Sequence, residues 1–379
     1  MIHWAPTEAP MRITSITTHT TGHICVVRIA TDTGEIGSGQ TAPFQAEITA
    51  TVLHRMVAPA VFPLEDPTPD TLSDAVVARN LKFPGSFVLR ALGGVETALW
   101  DLLAKREGRL VCELFGGSPG SYPAYASSMR RDITPADEAE RISRLRDTRG
   151  FRACKIRVGD GTGEDRDRWP GRSEELIDTV RGALGPEFVI HADGNSAFRP
   201  ARAIEIGRRL HGGGPGHFEE PCPYWQMDWT REVTETLDGE VAGGEQDNWM
   251  PVWERMVREH VVDIVQPDVC YIGGISRARR VAAIAQEAGM PCTPHSANHS
   301  YVTLFTLHLM RSIPNPGPFL EFSIEEQGEN REIFEPALEV VDGEAVMPDA
   351  EPGWGVRVRE SWLAGAREET SSAPQGGTV

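Results

Sequence analysis

The sequence predicts an α/β protein: a closed parallel (β/α) barrel preceded by a small α+β domain. Three observations predict it. Short apolar strands alternate with amphipathic helices from about residue 121 onward, the pattern of repeated β/α units. A different rhythm, strands first and then a long helical stretch, comes before them. Carboxylates also recur at one fixed interval at the ends of three consecutive strands, where barrels of this kind build their sites. Alternation alone would also suit an open, doubly wound sheet.

The chain has 379 residues, 40% of them hydrophobic, enough for a barrel-sized core and an appendage. No run approaches the roughly 18 apolar residues that suggest a membrane span. "MIHWAPTEAPMR" lacks the charged-then-apolar order of a secretion signal. The six cysteines are scattered singly, which suits reduced thiols, so a cytoplasmic location is expected. A net charge of −18 argues against nucleic acid or an anionic membrane as partner. A small anionic substrate stays compatible, because a bound divalent cation reverses the local field.

Residues 12 to 38 read as a hairpin: "RITSITTHT" and "HICVVRIAT" are rich in β-formers, with "DTGEIGSG" as turn. From 44 to 115 the pattern is helical, and "ALGGVETALWDLLAKREG" keeps Ala91, Leu92, Val95, Ala98 and Leu99 on one face. Residues 1–120 are therefore expected to form the α+β domain. The barrel is expected over 121–330, with strands at "PAYASS", "ACKIRVG", "FVIHAD", "GHFEEP", "EVAGGE", "VDIVQPD", "MPCTPHS" and "PFLEFS". No eighth helix is evident. Residues 331–365 turn β-like again and are expected to pack back on the first domain. The polar, Gly/Pro-rich end, 366–379, reads as a disordered tail.

Asp193 ends the third barrel strand, Glu219 lies in "FEEP" of the fourth, and Glu245 ends the fifth, at equal intervals of 26 residues. Three carboxylates side by side on one rim repel each other and take up protons unless a cation sits among them. Oxygen-only ligation favours a hard ion, Mg²⁺ with Mn²⁺ as substitute. As isolated residues they would read as helix caps or solvated loop groups; Glu220 reads as the supporting member of its pair. On the second strand Lys155 and Arg157, two apart, share a face. Inside a barrel that cationic pair requires anions; outside, it would be an ordinary salt bridge. The sixth strand ends in Asp268 and the seventh in His295, a carboxylate placed to fix an imidazole's tautomer and raise its basicity. The eighth strand offers Glu321 as proton donor or substrate contact. His191, His299 and His308 read as structural.

These motifs together resemble the enolase superfamily, in its mandelate racemase/muconate lactonizing enzyme-like subgroup: "KIR", "DGN", "EEP", "GGE", "QPD", "PHS" and "LEF" on strands two to eight, with "ALWDLLAKREGRLVCELFGG" before the barrel and "PGWGVRV" after it. The resemblance spans about residues 12 to 360. It implies a modified (β/α)8 TIM barrel of seven β/α units plus an eighth strand under an α+β capping domain, Mg²⁺ on Asp193, Glu219 and Glu245, and a homo-oligomer. It also implies abstraction of the proton α to a carboxylate through a metal-stabilised enediolate. The family's second strand usually reads Lys-x-Lys; here the second position is Arg157, a poor base. That favours a dehydratase of an acid sugar, an aldonate or aldarate, over a racemase. In that reading His295, held by Asp268, is the base, and Lys155, Arg157 and Asn195 bind the substrate. Lys155 stays open as a second base. A racemase, epimerase or cycloisomerase on the same scaffold, or a non-catalytic metal- or ligand-binding barrel, are the alternatives.

Overall fold

A computed structural model describes residues 10–83, 85–326 and 332–374. The N-terminal unit opens with an antiparallel meander, β1 (Ile13–Thr20), β2 (Cys25–Thr31) and β3 (Ile36–Gln40), so the expected hairpin gains a third strand. Helices follow: α1 (Ala46–Val52), α2 (Ala58–Val61), α3 (Pro69–Arg79), α4 (Ser86–Glu107) and α5 (Val111–Leu114). Thr68 starts α3 by accepting a hydrogen bond from the Thr71 amide, with Pro69 at the first helical position. Gly108, at φ 64°, ends α4 in the left-handed conformation that glycine tolerates best.

The meander lies directly on α4. A Cβ on Gly39 would stand 2.5 Å from the Ala98 amide nitrogen, so the alternating glycines of "GSG" are what let strand and helix backbones meet. Ala98 and Leu102 meet the strand there, and both are buried.

The barrel staves and helices alternate as β4 (Ser121–Ser127), α6 (Pro135–Arg149), β5 (Ala153–Arg157), α7 (Arg172–Leu184), β6 (Val189–Asp193), α8 (Pro200–Gly212), β7 (Phe218–Glu219), α9 (Met227–Thr236), β8 (Val241–Gly243), α10 (Met250–Arg258), β9 (Ile264–Val265), α11 (Ile275–Glu287), α12 (Tyr301–Met310) and β10 (Leu320–Ser323). β4 to β9 pair in parallel in chain order, and β10 pairs with β4 to close the ring. The seventh stave is not a regular strand: around Cys292 it makes only isolated bridges, to Val265 and Pro316. Pro291 and Pro294 explain this, since neither can donate to a ladder.

Two expectations for the C-terminal part are corrected, the first only over residues 339–346. β12 (Glu339–Val341) and β13 (Glu344–Val346) form a hairpin that extends the barrel sheet antiparallel to β4, rather than lying on the capping unit. Trp354 does reach the capping unit, donating its indole N–H to the Thr97 carbonyl of α4 at 3.2 Å. β14 (Arg357–Val358) pairs with β11 (Phe334–Glu335), and α13 (Glu360–Gly365) follows. The expected disordered tail is, over Arg367–Ser372, a strand, β15, paired antiparallel with β1. Its polar composition suits an outer edge strand, mostly exposed and anchored through the backbone ladder. Residues 375–379 of that expected tail lie outside the described residues.

Candidate active site

Parallel pairing sets the register of the rim. Arg157 stands opposite Asp193, and Asp193 opposite Glu219, so three neighbouring staves present these side chains abreast. Glu245 follows β8 by two residues, Asp268 follows β9, and His295 lies on the irregular seventh stave. All of them, with Lys155 and Glu321, are buried.

Lys155 is fully buried among carboxylates: its Nζ lies 2.6 Å from Glu219 Oε1, 2.7 Å from Glu321 Oε1 and 3.4 Å from Asp193 Oδ2. Burial alone would lower its pKa, but Glu219 and Glu321 outweigh that and hold it well above the ordinary lysine value. Arg157 Nη1 lies 2.5 Å from Asp193 Oδ2, and Nη2 donates to Met129 Sδ at 3.0 Å. Both cations of the second stave thus point inward onto acids.

The Asp268–His295 pair is in place, with Oδ2 to Nδ1 at 2.8 Å. Asp268 is itself oriented by the Cys270 and Tyr271 amides, which donate to Oδ1 at 2.8 and 2.9 Å. His295 Nε2 faces Glu245 Oε2 at 3.1 Å. Burial disfavours the imidazolium, yet Glu245, Glu321 and Asp268 together push its pKa up to about 10.

Glu321 is fully committed. Oε1 meets Lys155 and accepts from Ser127 Oγ at 2.7 Å, and Oε2 accepts from the Ser296 amide at 2.8 Å. It ties Lys155 to the His295 loop. As placed, no oxygen is left over for the proton-donor role the sequence suggested. Asn195, at φ 45°, donates its backbone N–H to Asp193 Oδ1 (2.7 Å) and its amide to Glu220 Oε2 (3.3 Å). The residue therefore supports two carboxylates here, Asp193 through its backbone and Glu220 through its side chain.

Among the described residues, no group of three His, Cys, Asp or Glu side chains stands as a ready-made ion cage. Asp193 is turned onto Arg157, Glu219 onto Lys155 and Glu245 onto His295. The donor set nonetheless fits a hard cation. Asp193 Oδ2 and Glu245 Oε2 are buried, each meeting a basic side chain, Arg157 and His295, without hydrogen-bond geometry, and burial raises the pKa of both groups. Buried carboxylate oxygens gathered on one rim, held only by basic side chains, suit a divalent oxygen-seeking ion.

Sequence reasoning missed several supporting groups. Gln266 donates to Glu219 Oε2 at 3.0 Å. It lies two residues before Asp268 on the same stave, so the period of a strand could have found it. Nothing local singles out Ser127 or Met129. His191 and His217 stack at 3.7 Å deeper in the barrel, a structural role. His308 accepts from the Cys112 amide and meets the Trp354 carbonyl, also structural. Among the described residues no helix is long and apolar enough to cross a membrane. All six cysteines are buried and unpaired.

A capping unit over a barrel with acids on successive staves and a His–Asp pair opposite a lysine defines a class of protein. The chain belongs to the mandelate racemase/muconate lactonizing enzyme group of the enolase superfamily: residues 1–116 match that group's N-terminal domain, and residues 137–362 match the enolase C-terminal domain-like family. It is 26% identical to an arabinonate dehydratase of Saccharolobus solfataricus, over 89% of this chain and 88% of that protein. It is 32% identical to a D-galactarolactone cycloisomerase of Agrobacterium fabrum, over 73% of each. Among solved structures, a Roseobacter denitrificans protein provisionally named a racemase superposes with a TM-score of 0.93 at 50% identity, over 95% of this chain and all of that one. A mandelate racemase/muconate lactonizing protein of Paracoccus denitrificans, complexed with magnesium, superposes with a TM-score of 0.87 at 26% identity, over 96% of this chain and all of that one.

Proposed function

We propose that this protein is a Mg²⁺-dependent dehydratase of an acid sugar, an aldonate or aldarate, giving a 2-keto-3-deoxy acid. The observation that carries the reading is the His295–Asp268 pair facing the buried carboxylates Asp193, Glu219 and Glu245 across one rim. Those three would hold the cation, with Mn²⁺ as substitute. When bound, it supplies positive charge against which the substrate's carboxylate becomes more negative.

The chain's own residues do the rest. Asp268 fixes the Nδ1–H tautomer; Glu245, the anion that does most to raise the His295 pKa, would be neutralised by a cation bound to it, freeing Nε2 to take the α-proton. The β C–O bond then breaks, and His295 returns the proton to the departing hydroxyl, which leaves as water. The enol so formed tautomerises to the 2-keto-3-deoxy acid. Arg157 does not serve as a base, because a guanidinium keeps its proton and this one is held by Asp193. With Lys155 it anchors the substrate's carboxylate or hydroxyls, helped by Asn195. The relatives' names support the substrate class, since they include acid-sugar dehydratases and cycloisomerases.

The 50%-identical structure provisionally named a racemase favours a second reading, an isomerase on the same scaffold. One experiment separates them. The protein is incubated with Mg²⁺ in D₂O against a panel of aldonates and aldarates, and keto acid and α-deuteration are both measured. Keto-acid release supports the dehydratase. Exchange from both epimers without keto acid supports the isomerase, and silence across the panel defeats the acid-sugar assignment.

A further inference from the structure

The segment that carries His295 is the least regular part of the rim. Its last backbone ladder contact is the Thr293 amide on the Val265 carbonyl at 3.0 Å. Beyond it, side chains hold the loop. On the barrel side Glu321 accepts from the Ser296 amide, and Ser296 Oγ donates to the Glu321 carbonyl at 2.8 Å. Thr303 Oγ1 donates to the carbonyls of Ser296 and Asn298.

The remaining clamp comes from the other structural unit. Gln40 ends β3 of the capping meander and is fully buried. Its Nε2 donates to Ser300 Oγ at 2.8 Å, and its Oε1 accepts from the Tyr301 amide at 3.3 Å. Ser300 caps α12, and its backbone amide donates to Asn298 Oδ1 at 3.0 Å, so the clamp reaches back toward His295. The Gln40 carbonyl accepts from Cys270 Sγ at 3.5 Å, and the Cys270 amide orients Asp268. One residue of the capping unit therefore touches both loops that carry the pair.

We propose that Gln40 is a positioning residue that aligns the Asp268–His295 pair from the capping unit. A buried amide with both ends paired fixes distance and direction at once, and it is costly to leave half-paired. The turnover arm of the test rests on the proposed function; the spectroscopic arm does not.

The test uses the full-length protein with ¹⁵N-labelled histidine, and His295→Asn assigns the His295 signals. In Gln40→Met, which keeps the length and removes both hydrogen bonds, the downfield Nδ1–H resonance of His295 is expected to move upfield or broaden. On a substrate found active, kcat is expected to fall on the order of 10²-fold while KM stays within about twofold. Ser300→Ala, which removes one of the two Gln40 side-chain bonds together with the α12 cap, should shift the same resonance in the same direction by less. It also serves if Gln40→Met does not fold. An unchanged His295 resonance and kcat, with only the melting temperature lowered, makes Gln40 purely structural and overturns the proposal. If no acid sugar reacts but the resonance moves, the positioning role stands and the assigned reaction falls.

Discussion

Glu96 offers a quantitative test of how the two units are joined. It lies in α4, fully buried, and its carboxylate covers the start of α11: Oε1 accepts from the Ser276 amide at 2.9 Å and the Trp100 indole at 3.0 Å, and Oε2 from the Ile275 amide at 3.0 Å. Gly274, at φ 121°, makes room for it, since a Cβ there would stand 2.2 Å from Oε2. Burial raises the carboxyl from its ordinary 4.5 to about 7, against the pull of those donors. The folded state thus holds this proton more tightly than the unfolded chain. Its contribution to stability is complete below pH 4.5, is lost as pH rises through about 7, and is flat above that. The gap corresponds to about 3 kcal/mol, a sizeable part of a domain's total of roughly 5–15 kcal/mol. Urea unfolding of wild type and Glu96→Gln at intervals from pH 4.5 to 8 measures it. Gln is uncharged throughout, so its amide mismatch with the three donors is a constant cost. The wild type should lose about 3 kcal/mol relative to the variant across that window. Parallel curves would mean that the donors and the α11 terminus outweigh burial and keep Glu96 ionised, and the reasoning would fail.

Other outcomes follow from single contacts. Arg157→Lys creates the Lys-x-Lys pair usual in the family. It is expected to introduce α-deuteration of the opposite epimer in D₂O, measured by NMR; none would show that geometry, not basicity, limits that face. Trp354→Ala removes a fully buried indole between α4 and α12 and should cost about 3–5 kcal/mol of unfolding free energy by denaturant titration. Truncation after Ala366 removes β15 and bares the edge of β1. Light scattering should then show self-association, and an unchanged monodisperse profile would argue that the edge is protected otherwise. Chelation with EDTA should abolish turnover and Mg²⁺ should restore it; turnover that survives chelation counts against the metal assignment.

Much of this protein is legible in one dimension because its site is written once per repeating unit. Each stave ends at the same rim, so Asp193, Glu219 and Glu245 could be brought together by counting residues, and the step from Asp268 to His295 follows the same rule. The apolar stripe of α4 likewise carries its meaning locally, but the Gly-Ser-Gly run, which read as turn, is strand, and its glycines make sense only against the packed α4. What the order of residues left undetermined depends on contacts between distant segments. The prolines beside Cys292 warn that the seventh stave is weak, but only the folded chain brings Gln40, some 260 residues earlier in the sequence, to hold it. The polar end read as disordered because a strand held by backbone bonds at a sheet edge needs no apolar signature. Glu321 resembled a free acid until packing placed Lys155, Ser127 and the Ser296 amide around it. Periodic local patterns specify which staves form and what they carry; how each buried polar group is paired is decided by neighbours that only three-dimensional closure supplies.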